Sequence, residues 1–425
     1  MSTPHLFIQV ILALILIIGG TRLSGMLIMY VGQPRVVGEM ITGIILGPIV
    51  FAHFFPSLQH QIFSTDVKNV LFVLGHIGVI IFMFLIGTTF NTKKIPSKLF
   101  KQATQLALIG TIPAFILGFL LGIYLYKDIS ILNISSIHFS IFLGCALSIT
   151  AFPVLAGILQ EKGETQSYLG SLVLISASIN DVIAWCFFSL IVVMAQGDNM
   201  INTVYKAVGI VLFTVLMLCM FKPLAQKYIE KTYKKNKFSP SNLAIVLIIL
   251  LFTVWLTEYI GGFSIFGAFI TGMVLPRIPA FQTELIHRLS DWNNVFFLPI
   301  FFVFSGLNVK IEEIFSSYFL IPFLLILVTA ILGKYVFSLG IMKYMGFSWR
   351  DSSAAGGLMN ARGLMELVFI NLGLSYGIIS QNVFSLLVLM TIVTTTMAVP
   401  IYTLSRPPNN KPNPISISTK RDNID

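Results

Sequence analysis

Charge is what this sequence has least of. Lys, Arg, Asp and Glu together make up 10% of its 425 residues, against roughly 25% in an ordinary soluble domain. Set beside 56% hydrophobic residues, that scarcity excludes a water-soluble fold. Cysteine is scarce too. Cys145, Cys186 and Cys219 all stand inside apolar segments without pairing or metal-ligand spacing, which argues against a disulfide framework or a zinc site. No Walker-type loop or other ATP motif occurs, which argues against a primary pump. A basic leader is missing as well: no Lys or Arg precedes the apolar run 6–20, and 22–29 continues in a helical pattern where a cleavage site would fall, so the first segment reads as a retained helix.

What is present is one apolar run after another, each extending toward the ~20 residues a helix needs to cross the hydrocarbon core. Cutting at polar, Pro- or Gly-bearing breaks gives about thirteen spans: 5–30, 36–52, 67–90, 101–126, 137–160, 165–196, 201–224, 241–259, 263–277, 291–308, 317–345, 350–374 and 382–404. The net charge of +10 is carried by short loops between these runs rather than by one face, so no nucleic-acid partner is expected. Lys93, Lys94, Lys98 and Lys101 follow the third span; Lys227, Lys231, Lys234, Lys235 and Lys237 the seventh; Arg277 and Arg288 the ninth; Lys343 and Arg350 the eleventh. The intervening loops at 53–66, 196–202, 258–262 and 376–382 hold no Lys or Arg. The positive-inside bias therefore predicts an integral membrane protein with its N-terminus outside and its C-terminus cytoplasmic. The Pro/Asn-rich tail, 405–425, reads as disordered and cytoplasmic, with no soluble domain attached.

The second span contains GEMITGIIL at 38–46 and the ninth GAFITGMVL at 267–275, both of the form G-x-x-I-T-G-x-x-L. Phe82, Leu85 and Gly87 of the third span recur as Phe301, Phe304 and Gly306 of the tenth. Seven spans separate the matches, and an odd displacement reverses the direction of crossing. Such inverted repeats are the architecture of secondary transporters, with ion sites at the repeat interface on broken helices. The partner of the fifth span is then the twelfth, and both are interrupted. The fifth carries Ser148, Thr150 and Pro153; the twelfth carries Gly356, Gly357, Asn360 and Gly363. Pro153 lacks a donor for the carbonyl of Ile149, and freed backbone persists in a membrane only when buried in protein or facing water. A plain proline kink is the alternative, for which Pro113, Pro299 and Pro322 are equal candidates.

Asp181 sits mid-way along the sixth span, between two apolar stretches. An intramembrane carboxylate is costly unless paired or hydrated and marks an ion path by default. Proton and metal ion compete for such a group, which is the chemistry of antiport. Lys334 lies mid-span in the eleventh segment. Arg362 and Glu366, four residues apart, share one face of the twelfth; they read either as a structural salt bridge or as ion-handling groups. Glu39 and Glu258 lie nearer span ends and read as structural or mouth-lining, and His76 as a packed core histidine.

The segments GEMITGIILGP at 38–48, ALSITAFPVLAGIL at 146–159, SINDVIAW at 178–185 and GLMNARGLMEL at 357–367 together resemble the second branch of the monovalent cation:proton antiporters, that of the Kef-type proteins and the plant cation/proton exchangers. The resemblance spans nearly all of the membrane region. It implies an all-α polytopic protein with an Na+/H+ antiporter-like fold, in which segments five and twelve cross at the ion site. It further implies a homodimer in lipid whose core, about 67–196 and 291–404, moves like an elevator against dimerisation helices, about 1–52 and 201–277, within a membrane domain spanning 1–404. By position, Asp181 matches the family's ion-binding aspartate, Asn180 its preceding partner, Thr150 with Ser148 the unwound stretch, and Lys334 the basic residue of the glycine-lysine motif. Arg362, Glu366, Asn360, Pro153 and Glu39 are supporting residues. The transported ions are Na+ or K+ and H+, and no cofactor is expected. Electrogenic members carry two adjacent aspartates; with Asn180 in place of the first, one carboxylate exchanges one proton for one cation and the exchange is electroneutral. Lys334 leaves a second possibility, that it pairs with Asp181 and releases a proton itself. Rival readings are a passive cation channel, a proton-coupled carrier of an organic cation, and an intramembrane protease; the last lacks a Ser/His pair, since His76 has no nucleophile beside it.

Overall fold

The computed structural model describes residues 3–48, 50–89, 96–130, 134–195, 200–227, 239–261, 264–276, 278–309 and 317–406. Among these, the thirteen expected segments are all present as helices. They are α1 (Thr3–Tyr30), α2 (Arg35–Leu46), α3 (Thr65–Thr89), α4 (Ser97–Ile129), α5a (Ser136–Ser148) with α5b (Phe152–Glu161), α6 (Tyr168–Ala195) and α7, which starts as Met200–Leu216. Then follow α8 (Pro240–Gly261), α9 (Ser264–Val274), α10 (Pro279–Trp292 continuing to Leu298–Leu307), α11 (Ser317–Ile331 continuing to Phe337–Tyr344), α12a (Trp349–Met359) with α12b (Leu364–Ser375), and α13 (Gln381–Ser405). Two short helices, Phe51–Phe54 and Pro56–Ile62, follow α2. The tail expected to be disordered lies outside the described residues from 407 onward.

Among the described residues, nine helices are long and apolar enough to cross a membrane; at 1.5 Å per residue the 28 residues of α1 reach about 42 Å. Their outward faces carry Phe7, Ile15, Leu251, Phe252, Trp255 and Tyr259, all exposed. Asp181, Lys334, Arg362 and Glu366 are buried inside instead. This is an integral membrane protein, whose apolar surface meets lipid tails rather than water.

Three helices carry a π-turn where the sequence suggests a regular α-helix: Met217–Phe221 in α7, Asn293–Phe297 in α10 and Leu332–Val336 in α11. Helix α10 also begins twelve residues before the expected 291. Its first turns are amphipathic, burying Phe281 and Leu285 while Arg288 pairs with Glu284 at 2.7 Å on the outer face, so they escape a reading based on apolar runs. Pro113 and Pro322 sit inside continuous helices, and Pro299 at the second residue after a π-turn. Only Pro153 stands at a true break, at the start of α5b.

The repeat is visible as duplicated packing. Helix α2 packs on α10 and α9 packs on α3, the same pairing with the halves exchanged. A Cβ built on Gly43 would lie 2.8 Å from the Cα of Gly306, and one on Gly272 2.9 Å from the Cα of Gly87. The polar contacts repeat as well. Ser24 and Thr42 hydroxyls meet at 2.5 Å between α1 and α2, and Thr253 and Thr271 at 2.6 Å between α8 and α9. Glycine is needed at these positions because the backbones touch. Gly43→Val or Gly272→Val is expected to destabilise by about 1–3 kcal/mol or more, as overpacking does. Thermal unfolding in detergent checks this, with Gly19→Val, which meets nothing within 4 Å, as the unaffected control.

Candidate functional site

Two helices end in the middle of the bundle, and each end must satisfy carbonyls that have lost their helical donors. After Ser148 the chain is extended at Ile149 and Ala151 before α5b begins. Helix α12a stops at Met359 and the chain turns through Asn360 to Gly363 before α12b. The two breaks lie against each other: the Ala151 N–H donates to the Ala361 carbonyl at 3.1 Å, and the Thr150 hydroxyl donates to the Met359 carbonyl at 2.8 Å. A Cβ on Gly363 would come within 2.6 Å of Val154 Cγ2, so this crossing needs a bare backbone.

Arg362 closes the arrangement. Its guanidinium donates to the carbonyls of Ala146 at 2.9 Å and Leu147 at 2.7 Å, the orphaned end of α5a, and to Glu366 Oε1 at 2.9 Å. The Arg362 N–H donates to the Thr395 hydroxyl of α13 at 3.1 Å. Arg362 and Glu366 are wholly buried. The cation also stands at the negative end of α5a.

Asp181 is 4% exposed, and neither of its oxygens has a hydrogen-bond partner of ordinary geometry. Its electrostatic partners are the backbone of Phe152, at the positive end of α5b, and Lys334. Lys334 is fully buried inside the π-turn of α11 with its Nζ unpartnered, within electrostatic reach of Asp181, Arg362 and Glu366. Two positive and two negative groups are thus gathered at the crossing, two of them tied to each other and two left open.

The other expected site residues fall into place unevenly. Asn180 accepts from the Thr111 hydroxyl of α4 at 2.6 Å, so its carbonyl oxygen is engaged. Nothing in the sequence marks Thr111 apart from other threonines of apolar helices. Asn360 is fully buried with both polar atoms unpartnered, beside the crossing. Ser148 turns back to its own helix, donating to the Cys145 carbonyl at 2.8 Å, because it ends α5a one residue before the chain unwinds. Glu39 makes none of the hydrogen bonds at the crossing itself. It pairs with Arg35 at 3.3 Å on the wall of a cavity of ≈ 270 Å3 that Pro153, Val154 and Leu364 also line. His76 is held by the Phe72 carbonyl at 2.9 Å and packs on the Phe72 ring, as a core histidine does.

Residues 10–403 match the family described as sodium/hydrogen exchanger, transmembrane. The chain belongs to that family. Among its relatives, the Na+/H+ antiporter NhaS4 of Synechocystis is 36% identical over 390 residues, covering 91% of this chain and 95% of the relative. The K+/H+ antiporter 1 of Saccharomyces cerevisiae is 32% identical across 88% of this exchanger, and cation/H+ antiporter 17 of Arabidopsis thaliana 31% across 94%. The chain spans 44% and 48% of the length of these two. The solved structure of the sodium proton antiporter MjNhaP1 from Methanocaldococcus jannaschii superposes with a TM-score of 0.63 at 16% identity, over 94% of this chain and 97% of that one. It is the same fold.

Arg362→Met leaves Glu366 and two carbonyls without partners in a buried site. A loss of about 3–5 kcal/mol is expected, the usual cost of breaking one side of a buried pair. The double change Arg362→Met/Glu366→Met is expected to recover part of it, read by thermal unfolding in detergent.

Proposed function

We propose that this exchanger moves one monovalent cation, Na+ or K+, against one H+ across a lipid bilayer, with Asp181 as the carboxylate for which the two ions compete. The observation that carries the reading is a buried acid without a side-chain partner, facing the backbone of Phe152 at a helix N-terminus, in a bundle where the other acid of the crossing, Glu366, is already tied to Arg362. The family and the names of the relatives support cation/proton exchange. Asp181 exchanging H+ for a cation moves no net charge, so the exchange is electroneutral. Asn180, neutral and bonded to Thr111, supplies no second titrating group. Thr150 and Asn360 flank the ion from the two breaks, Lys334 balances the empty carboxylate, and Ser148 and Pro153 shape the unwinding. The protein resides in a bacterial plasma membrane with its N-terminus outside and its C-terminus cytoplasmic, as the loop charges suggest, and works as a homodimer.

In everted vesicles Asp181→Asn is expected to abolish cation-driven dequenching of a pH probe while leaving membrane insertion intact; retained exchange would overturn the assignment. In proteoliposomes the wild-type rate is expected not to respond to a potassium/valinomycin potential. A clear response sinks electroneutrality and points to Lys334 as a second proton carrier.

The motion in this reading is an elevator. Glycine-tight packing of α3 on α9 and α10 on α2 favours grouping α3 and α10 with the fixed frame, leaving α4–α6 and α11–α13 as the body that moves. Val36 of α2 and Val154 of α5b face one cavity across that division. A disulfide joining Val36→Cys to Val154→Cys, with the exposed Cys219 replaced by Ser, is expected to arrest exchange and reduction to restore it; unimpeded exchange by the cross-linked protein would refute this division.

A further inference from the structure

The cavity of ≈ 270 Å3 that Pro153 and Val154 line is apolar except for Arg35, Glu39 and Asn294. Pro153 and Val154 of this lining directly follow Phe152, whose backbone faces Asp181. Any ion that reaches Asp181 by this path passes one guanidinium, one carboxylate and one amide. Arg35 holds Glu39 through Nε at 3.3 Å, while its Nη2 is buried without a hydrogen-bond partner. The stem of Arg35 lies across Gly25 of α1, where an added Cβ would stand 3.0 Å from Cγ. The Arg35 stem thus packs against α1 while its Nε holds Glu39. Arg22, also on α1, is the next cation within reach of Glu39.

In walls this apolar, a single charge is felt across the whole cavity. We propose that the Arg35–Glu39 pair is a charge filter of the access cavity, in which Glu39 cancels Arg35 so that a cation can descend to the exchange site. The proposal rests on the reading of Asp181 above, and makes Glu39 a specificity-determining residue that acts before the ion is bound. It fixes three directions of change. Removing the Glu39 charge exposes Arg35, backed by Arg22, and repels the incoming cation. Taking away the Arg35 charge leaves a bare carboxylate that attracts it. Neutralising both restores a cavity with no net charge.

The test is the cation dependence of proton flux in everted vesicles, with Na+ and K+ each titrated for Glu39→Gln, Arg35→Gln, the double variant and Glu39→Asp. One charge acting at about 10 Å through an intermediate dielectric changes ion occupancy about tenfold. KM is therefore expected to rise about tenfold in Glu39→Gln, to fall below wild type in Arg35→Gln, and to return near wild type in the double variant and Glu39→Asp, with the maximal rate within about twofold throughout. A merely structural pair would impair both single variants and leave the double no better. That pattern overturns the filter, as does an unchanged KM in Glu39→Gln. If Glu39→Gln fails to insert, the fall in KM of Arg35→Gln decides alone. Loss of flux at every cation concentration in Glu39→Gln would make Glu39 part of the exchange step and also overturn the filter, while leaving the Asp181 assignment standing. Exchange that survives Asp181→Asn defeats that assignment whatever Glu39 does.

Discussion

Everything at the centre of this molecule depends on a buried arginine reaching backward into another helix. A helix that stops inside a bilayer leaves carbonyls facing hydrocarbon, at several kcal/mol each. Arg362 supplies donors to Ala146 and Leu147 and takes its own counter-charge from Glu366 one turn on. Because α5a can end there, α5b can begin a few residues later with its N-terminal N–H groups aimed inward. That in turn gives Asp181 a positive end to face without the cost of a fixed salt bridge. The Arg362–Glu366 pair is thus the scaffold, and Asp181 with Lys334 the part left open.

The sequence was most informative where glycine and polarity recur at fixed spacing. G-x-x-I-T-G-x-x-L occurs twice because the same backbone contact is made twice, at Gly43 and Gly272, and close contact leaves no choice of side chain. The breaks were legible for a related reason: polar and small residues in a bilayer-spanning run demand explanation. What stayed hidden depends on partners distant in the chain. That Arg362 pairs with Glu366 follows from their spacing; that it caps α5a, over 200 residues away, does not. Thr111 looked like any helical threonine until Asn180 was beside it. The bond of Ser148 to Cys145 shows only once the end of α5a is known, since the last helical residue still has an i−3 carbonyl to use. The π-turns leave no pattern in hydropathy, and the amphipathic start of α10 was obscured by its own charges.

The family and the geometry narrow the chemistry from different sides. Membership rests on residues 10–403 as a whole and says nothing of which side chain carries the ion. The geometry separates held groups from open ones: Glu366 Oε1 and the Asn180 oxygen are engaged, whereas Glu366 Oε2, the oxygens of Asp181, the Lys334 amine and the Asn360 amide have no side-chain partner. Polar groups left unmatched at such depth are expected to meet water or ions.

The duplicated glycine contacts have an energetic meaning. A carrier works only if its two faces are nearly equal in free energy, since a gap of 5.5 kcal/mol or so would confine it to one side. A chain with unrelated halves would need that balance tuned contact by contact. Here Gly43 against Gly306 and Gly87 against Gly272 are one interface written in both directions across the bilayer. The frame these contacts hold together therefore presents the same kind of packing toward either leaflet, so a bias toward one face cannot come from unlike halves of the frame.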